Sequence, residues 1–158
     1  MTRLTAISLA LACLLAPLPA LAGPAEEAYL GSLTGKWAGR GTLTGAETGV
    51  INCSLVVRKR SVGANFGAKC DVEDLGPQNF TSVITYNDAE KRYEARSTGG
   101  ELTLGTKSGN TLTFVGKVKG LASGTSTMKI SPSRIIIDTL VRRPGGDSDI
   151  KSHMEMKR

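Results

Sequence analysis

From residue 36 to residue 157 the chain keeps one beat: runs of six to eleven residues rich in Thr, Val and Ile, broken by Gly, Asn and Asp. Runs of that length and composition, bounded by turn formers, are half-buried β-strands. Strands are predicted over 36–44, 48–58, 65–72, 79–86, 92–97, 101–107, 111–119, 125–130, 134–142 and 149–157. The links are short, so successive strands become antiparallel neighbours in an up-and-down meander. Turn chemistry supports this: Asn87-Asp88-Ala89-Glu90 sits between two tyrosine-bearing strands, and Ser108-Gly109-Asn110 and Pro144-Gly145-Gly146-Asp147 mark further turns. A ten-stranded meander leaves two open edges unless the first strand meets the last. The expected fold is therefore all-β, a barrel of about ten strands.

Strand alternation supplies a common interior. Phe80, Ser82, Ile84 and Tyr86 alternate with Thr81, Val83 and Thr85, and Leu112, Phe114 and Val118 with Thr111, Thr113 and Lys117. Ile150, Met154 and Met156 alternate with Lys151, His153, Glu155 and Lys157. The run Ile135-Ile136-Ile137 is apolar on both faces, and its outward Ile136 and Leu140 are expected beneath a helix. If 48–58 and 65–72 pair across the turn at Ser61-Val62-Gly63-Ala64, Val57 faces Phe66, Leu55 faces Ala68 and Cys53 faces Cys70. Both sulfurs then enter the same core. A structural disulfide is expected rather than a reactive pair, because no Cys-x-x-Cys motif or helix N-terminus is present to activate either thiol.

The N-terminus reads differently. Arg3, an apolar run from Leu4 to Leu15, and Ala20-Leu21-Ala22 form a secretory leader with a small-x-small cleavage site. Such a run falls short of the about 20 residues that span a bilayer. Residues 1–22 are thus expected to be removed, leaving 23–158 as one domain in the periplasm or outside the cell, with no transmembrane segment. Cys13 lies in the leader, but Ala10-Leu11-Ala12 before it departs from a lipidation signal, so a soluble product is expected. The remaining chain holds 136 residues, with 19 Lys and Arg against 14 Asp and Glu. Residues 24–30 are the one expected helix, with Pro24 at its start, Glu26 and Glu27 in its first turn and Gly31 stopping it, a short helix expected to cap one end of the barrel.

Gly35-Lys36-Trp37, followed by Gly39-Arg40-Gly41, resembles the Gly-x-Trp opening of the calycins, the superfamily of lipocalins, fatty-acid-binding proteins and nitrobindin-like haem barrels. The hairpin from Ile84-Thr85-Tyr86 to Lys91-Arg92-Tyr93 and the ending Met154-Glu155-Met156-Lys157-Arg158 are similar to those of uncharacterised bacterial lipocalin-like ten-stranded barrels. The resemblance implies that Arg158 packs over Trp37 and closes the barrel base, a cation–π contact. It implies no particular role, because the superfamily spreads one architecture over many functions.

Catalytic and metal-binding chemistry finds little support. His153 is the single histidine, which excludes His-dependent triads and multi-histidine metal sites within one chain. Nitrobindin-like barrels bind haem through a late histidine, yet His153 shares its strand face with Lys151, Glu155 and Lys157, away from an apolar pocket. Asp71, Glu73 and Asp74 form a solvated turn more readily than a calcium site, and Gly39-x-Gly41 and Gly99-Gly100 lack the strand–loop–helix setting of a phosphate loop. No enzyme activity, metal or cofactor is expected, and one Trp with no basic helix excludes nucleic acid.

The architecture itself motivates ligand binding. Barrel diameter grows with strand number, and the small inward residues Ser82, Ala95, Ser97, Gly116 and Ser126 leave space. Trp37, Phe66, Phe80, Tyr86, Tyr93, Phe114 and Met128 are the candidate lining of a cavity for a small apolar or amphipathic ligand. The rival expectation is a filled barrel acting as an envelope interaction protein, its basic clusters Arg58-Lys59-Arg60, Lys91-Arg92 and Arg142-Arg143 touching an anionic surface. Expression of the whole chain in a bacterium with a periplasm should yield a product beginning at Gly23, checked by intact mass; a cytoplasmic product retaining residues 1–22 would count against the leader.

Overall fold

A computed structural model describes residues 23–118, 123–142 and 149–158. The predicted leader, Arg143 and the turn at Pro144-Gly145-Gly146-Asp147 lie outside the described residues. A helix, α1 (Gly23–Ser32), precedes ten strands: β1 (Gly35–Gly45), β2 (Gly49–Lys59), β3 (Ala64–Val72), β4 (Gly76–Asn87), β5 (Arg92–Ser97), β6 (Leu102–Ser108), β7 (Thr111–Val118), β8 (Ser123–Ile130), β9 (Arg134–Arg142) and β10 (Ile150–Lys157). No strand end moves more than three residues from its predicted place. Every strand pairs antiparallel with its sequence neighbours, and β1 pairs with β10 from Ala38↔Lys157 to Gly45↔Ile150, closing the barrel. Closure removes both sheet edges.

The closing seam requires the backbones to approach closely. A Cβ on Gly39 would collide with the Glu155 carbonyl, and one on Gly41 with the carbonyl of His153. Glycine at these two interior positions lets β1 bend across β10. Elsewhere the predicted register holds: Val57 opposes Phe66, Leu55 opposes Ala68, and Cys53 opposes Cys70, where the disulfide forms.

The helix differs from its sequence-based description in two ways. It runs through Gly31 to Ser32 instead of stopping at Gly31, and it packs against β4 and β2 instead of over Ile136 and Leu140, which remain half-buried on the outer face. The reason is apolar burial. Leu30 and Leu33, on either side of Gly31, are 0 % exposed at the barrel end, and two more helical residues keep both there. Full burial of a leucine contributes about 1.5–3 kcal/mol, which a helix too short to persist alone in water needs. Polar anchors fix the dock: the Glu27 carboxylate accepts the Gly63 N–H at 2.9 and 3.1 Å, and the Tyr29 hydroxyl donates to the Ile130 carbonyl at 2.9 Å. Arg158 lies over the Trp37 ring at 4.7 Å and donates to the Ser32 carbonyl, while Trp37 Nε1 donates to the Leu33 carbonyl at 3.1 Å.

The bond between Cys53 and Cys70 spans 17 positions, a loop whose closure by a disulfide stabilises a fold by about 3 kcal/mol. The paired substitution Cys53→Ala/Cys70→Ala should lower unfolding free energy by that order in urea titrations, and reduction of the native protein should match it.

Candidate functional site

The two ends of the barrel are filled differently because the side chains along each strand change size. At the α1 end the inward positions hold Trp37, Ile84, Tyr93, Leu112, Ile130 and Ile135, none more than 2 % exposed. Towards the other end the inward positions of seven successive strands shrink to Ser82, Ser97, Thr103, Gly116, Ser126, Thr139 and Ser152. Large side chains close a ten-stranded ring; small ones cannot. A cavity of about 530 Å³ results.

Its deep part is apolar, formed by Leu55, Phe66, Phe114, Met128, Met154 and Met156. Above this lies the belt of hydroxyls, in which Ser126 and Thr139 oxygens sit 3.1 Å apart. Asn79, Phe80, Thr98 and Glu101 stand at the mouth, and Phe80 is 58 % exposed although it faces inward. Glu101 is the one charged side chain among the described lining residues. Ile51, Cys70 and Val72 make the wall on β2 and β3 apolar, so the disulfide contributes to the cavity surface as well as to the fold.

Of the seven residues nominated from the sequence, Phe66, Phe80, Phe114 and Met128 line this cavity. Trp37, Tyr86 and Tyr93 do not; they lie at the closed end, where α1 adds Tyr29 and Leu30 and the turn after it adds Leu33. Tyr29 and Tyr86 each meet Tyr93 edge-on, at 6.2 and 5.0 Å between centroids. The Tyr93 hydroxyl donates to the Glu26 carboxylate, itself 3.3 Å from Lys107 Nζ. These phenols therefore sit in the base, outside the cavity lining. Sequence reasoning missed Thr103, Thr139 and Ser152 as lining, although their places in the alternation of β6, β9 and β10 were a usable signal.

Other nominated chemistry sits elsewhere. His153 projects from the outer face of β10, 59 % exposed, with Nδ1 2.6 Å from Asp138 Oδ1 and the barrel wall between it and the cavity. An exposed pair of this kind contributes little stability. Glu73 accepts the Val50 N–H at 2.9 Å, which makes it a clasp on the turn after β3. No cluster of three or more metal-ligating side chains occurs among the described residues, and no described helix is long and apolar enough to cross a membrane.

No protein-family model and no curated protein sequence matches this chain. Solved structures do resemble it in shape. An S-type phycobiliprotein lyase, CPES from Guillardia theta, superposes with a TM-score of 0.59 at 11 % identity, over 84 % of this chain and 92 % of that one. Rv2717c from M. tuberculosis superposes with a TM-score of 0.57 at 14 % identity, over 85 % and 97 %. The shared feature is a ten-stranded antiparallel barrel, a lipocalin-like fold. The expectation that the chain is not an enzyme is corrected here. A protein named as a lyase is built on the same barrel, so the lack of a triad or metal motif does not exclude catalysis. At these identities the likeness concerns the fold and transfers no residue.

Two ionisations tie the base to pH. Burial, with the Glu26 charge adding to it, raises the Tyr29 hydroxyl to about 12, and Tyr93 is raised by burial and by its bond to Glu26. On the outer face, the Asn87 amide and then Arg92 and Arg96 hold Glu94 below the ordinary carboxylate value. A raised tyrosine favours the folded state below about 10 and loses that contribution as pH climbs towards 12. A lowered carboxylate acts oppositely, its contribution fading as pH falls below about 4.5. Thermal stability should therefore fall at both extremes. Tyr29→Phe should flatten the alkaline limb and Glu94→Gln the acid one, both read by circular dichroism.

Proposed function

We propose that residues 23–158 form an exported calycin-like barrel that holds a small apolar or amphipathic molecule in its interior. The observation that carries this reading is the cavity of about 530 Å³, preformed, apolar at depth and hydroxyl-lined above. Its size falls within the about 300–1,000 Å³ of small-molecule sites, and its chemistry matches their usual mixture of apolar walls and a few polar groups. Phe66, Phe80, Phe114 and Met128 supply the aromatic and thioether contacts, joined by Leu55, Met154 and Met156. The Cys53–Cys70 disulfide supports a location outside the reducing cytoplasm, in the periplasm or beyond. The contact of Arg158 with Trp37 supports the calycin kinship. One structural neighbour bears the name of a lyase, so the reading covers a molecule that is transformed in the cavity as well as one that is only carried.

Native mass spectrometry of protein recovered from a bacterial periplasm tests this. A non-covalent adduct lost on denaturation, or saturable uptake of the neutral dye Nile red by the adduct-free protein, is the expected result. Substitution of Met128 by Trp, which fills the cavity floor, should abolish the uptake. Absence of both adduct and dye binding in folded protein would overturn the reading.

A further inference from the structure

The polar lining of the cavity is an arc, not a point. Ser82 on β4 opposes Ser97 on β5. Thr103 on β6 lies beside Gly116 on β7, close enough that a Cβ added to the glycine would stand 3.7 Å from the threonine oxygen. Gly116 opposes Ser126, Ser126 opposes Thr139, and Thr139 opposes Ser152. Six hydroxyls and one glycine thus line seven adjacent strands of the ten, with a two-residue step between Ser97 and Thr103, which opposes Ala95. All six hydroxyl residues are half-buried.

Hydroxyls both donate and accept, and their hydrogens turn to suit a partner. An arc of them satisfies an uncharged alcohol, ether, ester or amide in many orientations. An ionised carboxylate is another matter. Buried without a cationic partner it is strongly penalised, and the described residues lining the cavity include no Lys, Arg or His to supply one. We infer that the cavity selects amphipaths with an uncharged, hydrogen-bonding head seated against the arc of Ser82, Ser97, Thr103, Ser126, Thr139 and Ser152, and discriminates against fatty-acid-like anions. This rests on the proposed ligand-binding reading and specifies its chemical class.

Displacement of Nile red by decanol and by decanoate, at pH 8 and below the micellar range of either, tests the selection. Because the alcohol is intrinsically the more hydrophobic, the decisive quantity is how the ratio of their half-displacing concentrations changes on substitution. Thr139→Arg places a guanidinium in the arc between Ser126 and Ser152, and should shift the ratio about tenfold in favour of decanoate. Thr139→Val removes one hydroxyl and should raise the decanol requirement about fivefold. If Thr139→Arg fails to fold by circular dichroism, Ser152→Lys on the neighbouring strand replaces it. Decanoate displacing the dye from the native protein as well as decanol does, with the ratio unmoved by the new cation, would overturn the inference while leaving the ligand-binding reading intact. Failure of Nile red to bind the native protein at all would overturn both.

Discussion

The pairing of β1 with β10 is the constraint on which everything else in this molecule depends. Ten antiparallel strands in a meander present two rows of unpaired backbone groups, and closure satisfies both at once. It is achieved by leaving out side chains: Gly39 and Gly41 stand where any Cβ would meet the backbone of β10. Once closed, the ring has an interior that ten strands make too wide for modest side chains to fill. The protein answers this differently at its two ends.

At one end, bulk solves it. Trp37, Ile84, Leu112, Ile130 and Ile135 converge, and α1 with the turn after it inserts Tyr29, Leu30 and Leu33 among them. The helix is held by its side chains more than by its own backbone, through Glu27 on the Gly63 N–H, Tyr29 on the Ile130 carbonyl, and Glu26 between Tyr93 and Lys107. The last residue joins this closure, since Arg158 covers Trp37 and reaches the carbonyl of Ser32. Both ends of the described chain therefore meet at the plugged base, away from the mouth. At the other end the small residues leave the space open, and a rigid base beneath an open chamber is a suitable arrangement for holding a ligand.

Strand positions and faces were legible in residues such as Val57, Phe66, Cys53 and Cys70, because alternation and a short turn leave one register that buries all of them. The exposed face of His153 was legible for the same reason. The helix was less so. Gly31 looks like a stop because glycine weakens helices, yet the two buried leucines on either side of it outweigh that preference. The cavity was legible in part. Phe66, Phe80, Phe114 and Met128 could be placed inward, but inward does not say which end, and Trp37, Tyr86 and Tyr93 proved to belong to the base. The absence of catalytic motifs also said less than it suggested, since a protein named as a lyase shares the barrel.

By itself the sequence determined the strands, their order, the faces they present and the cysteine pairing, because each follows from a period of two and from links too short for any other neighbour. Tertiary structure alone decided which strands α1 docks on, that Trp37, Tyr86 and Tyr93 fall in the plugged base, and that Thr103, Thr139 and Ser152 join Ser82, Ser97 and Ser126 on the cavity wall. Those outcomes depend on the stagger of strands far apart in the chain and on volumes summed across the ring. No local window of residues contains that sum.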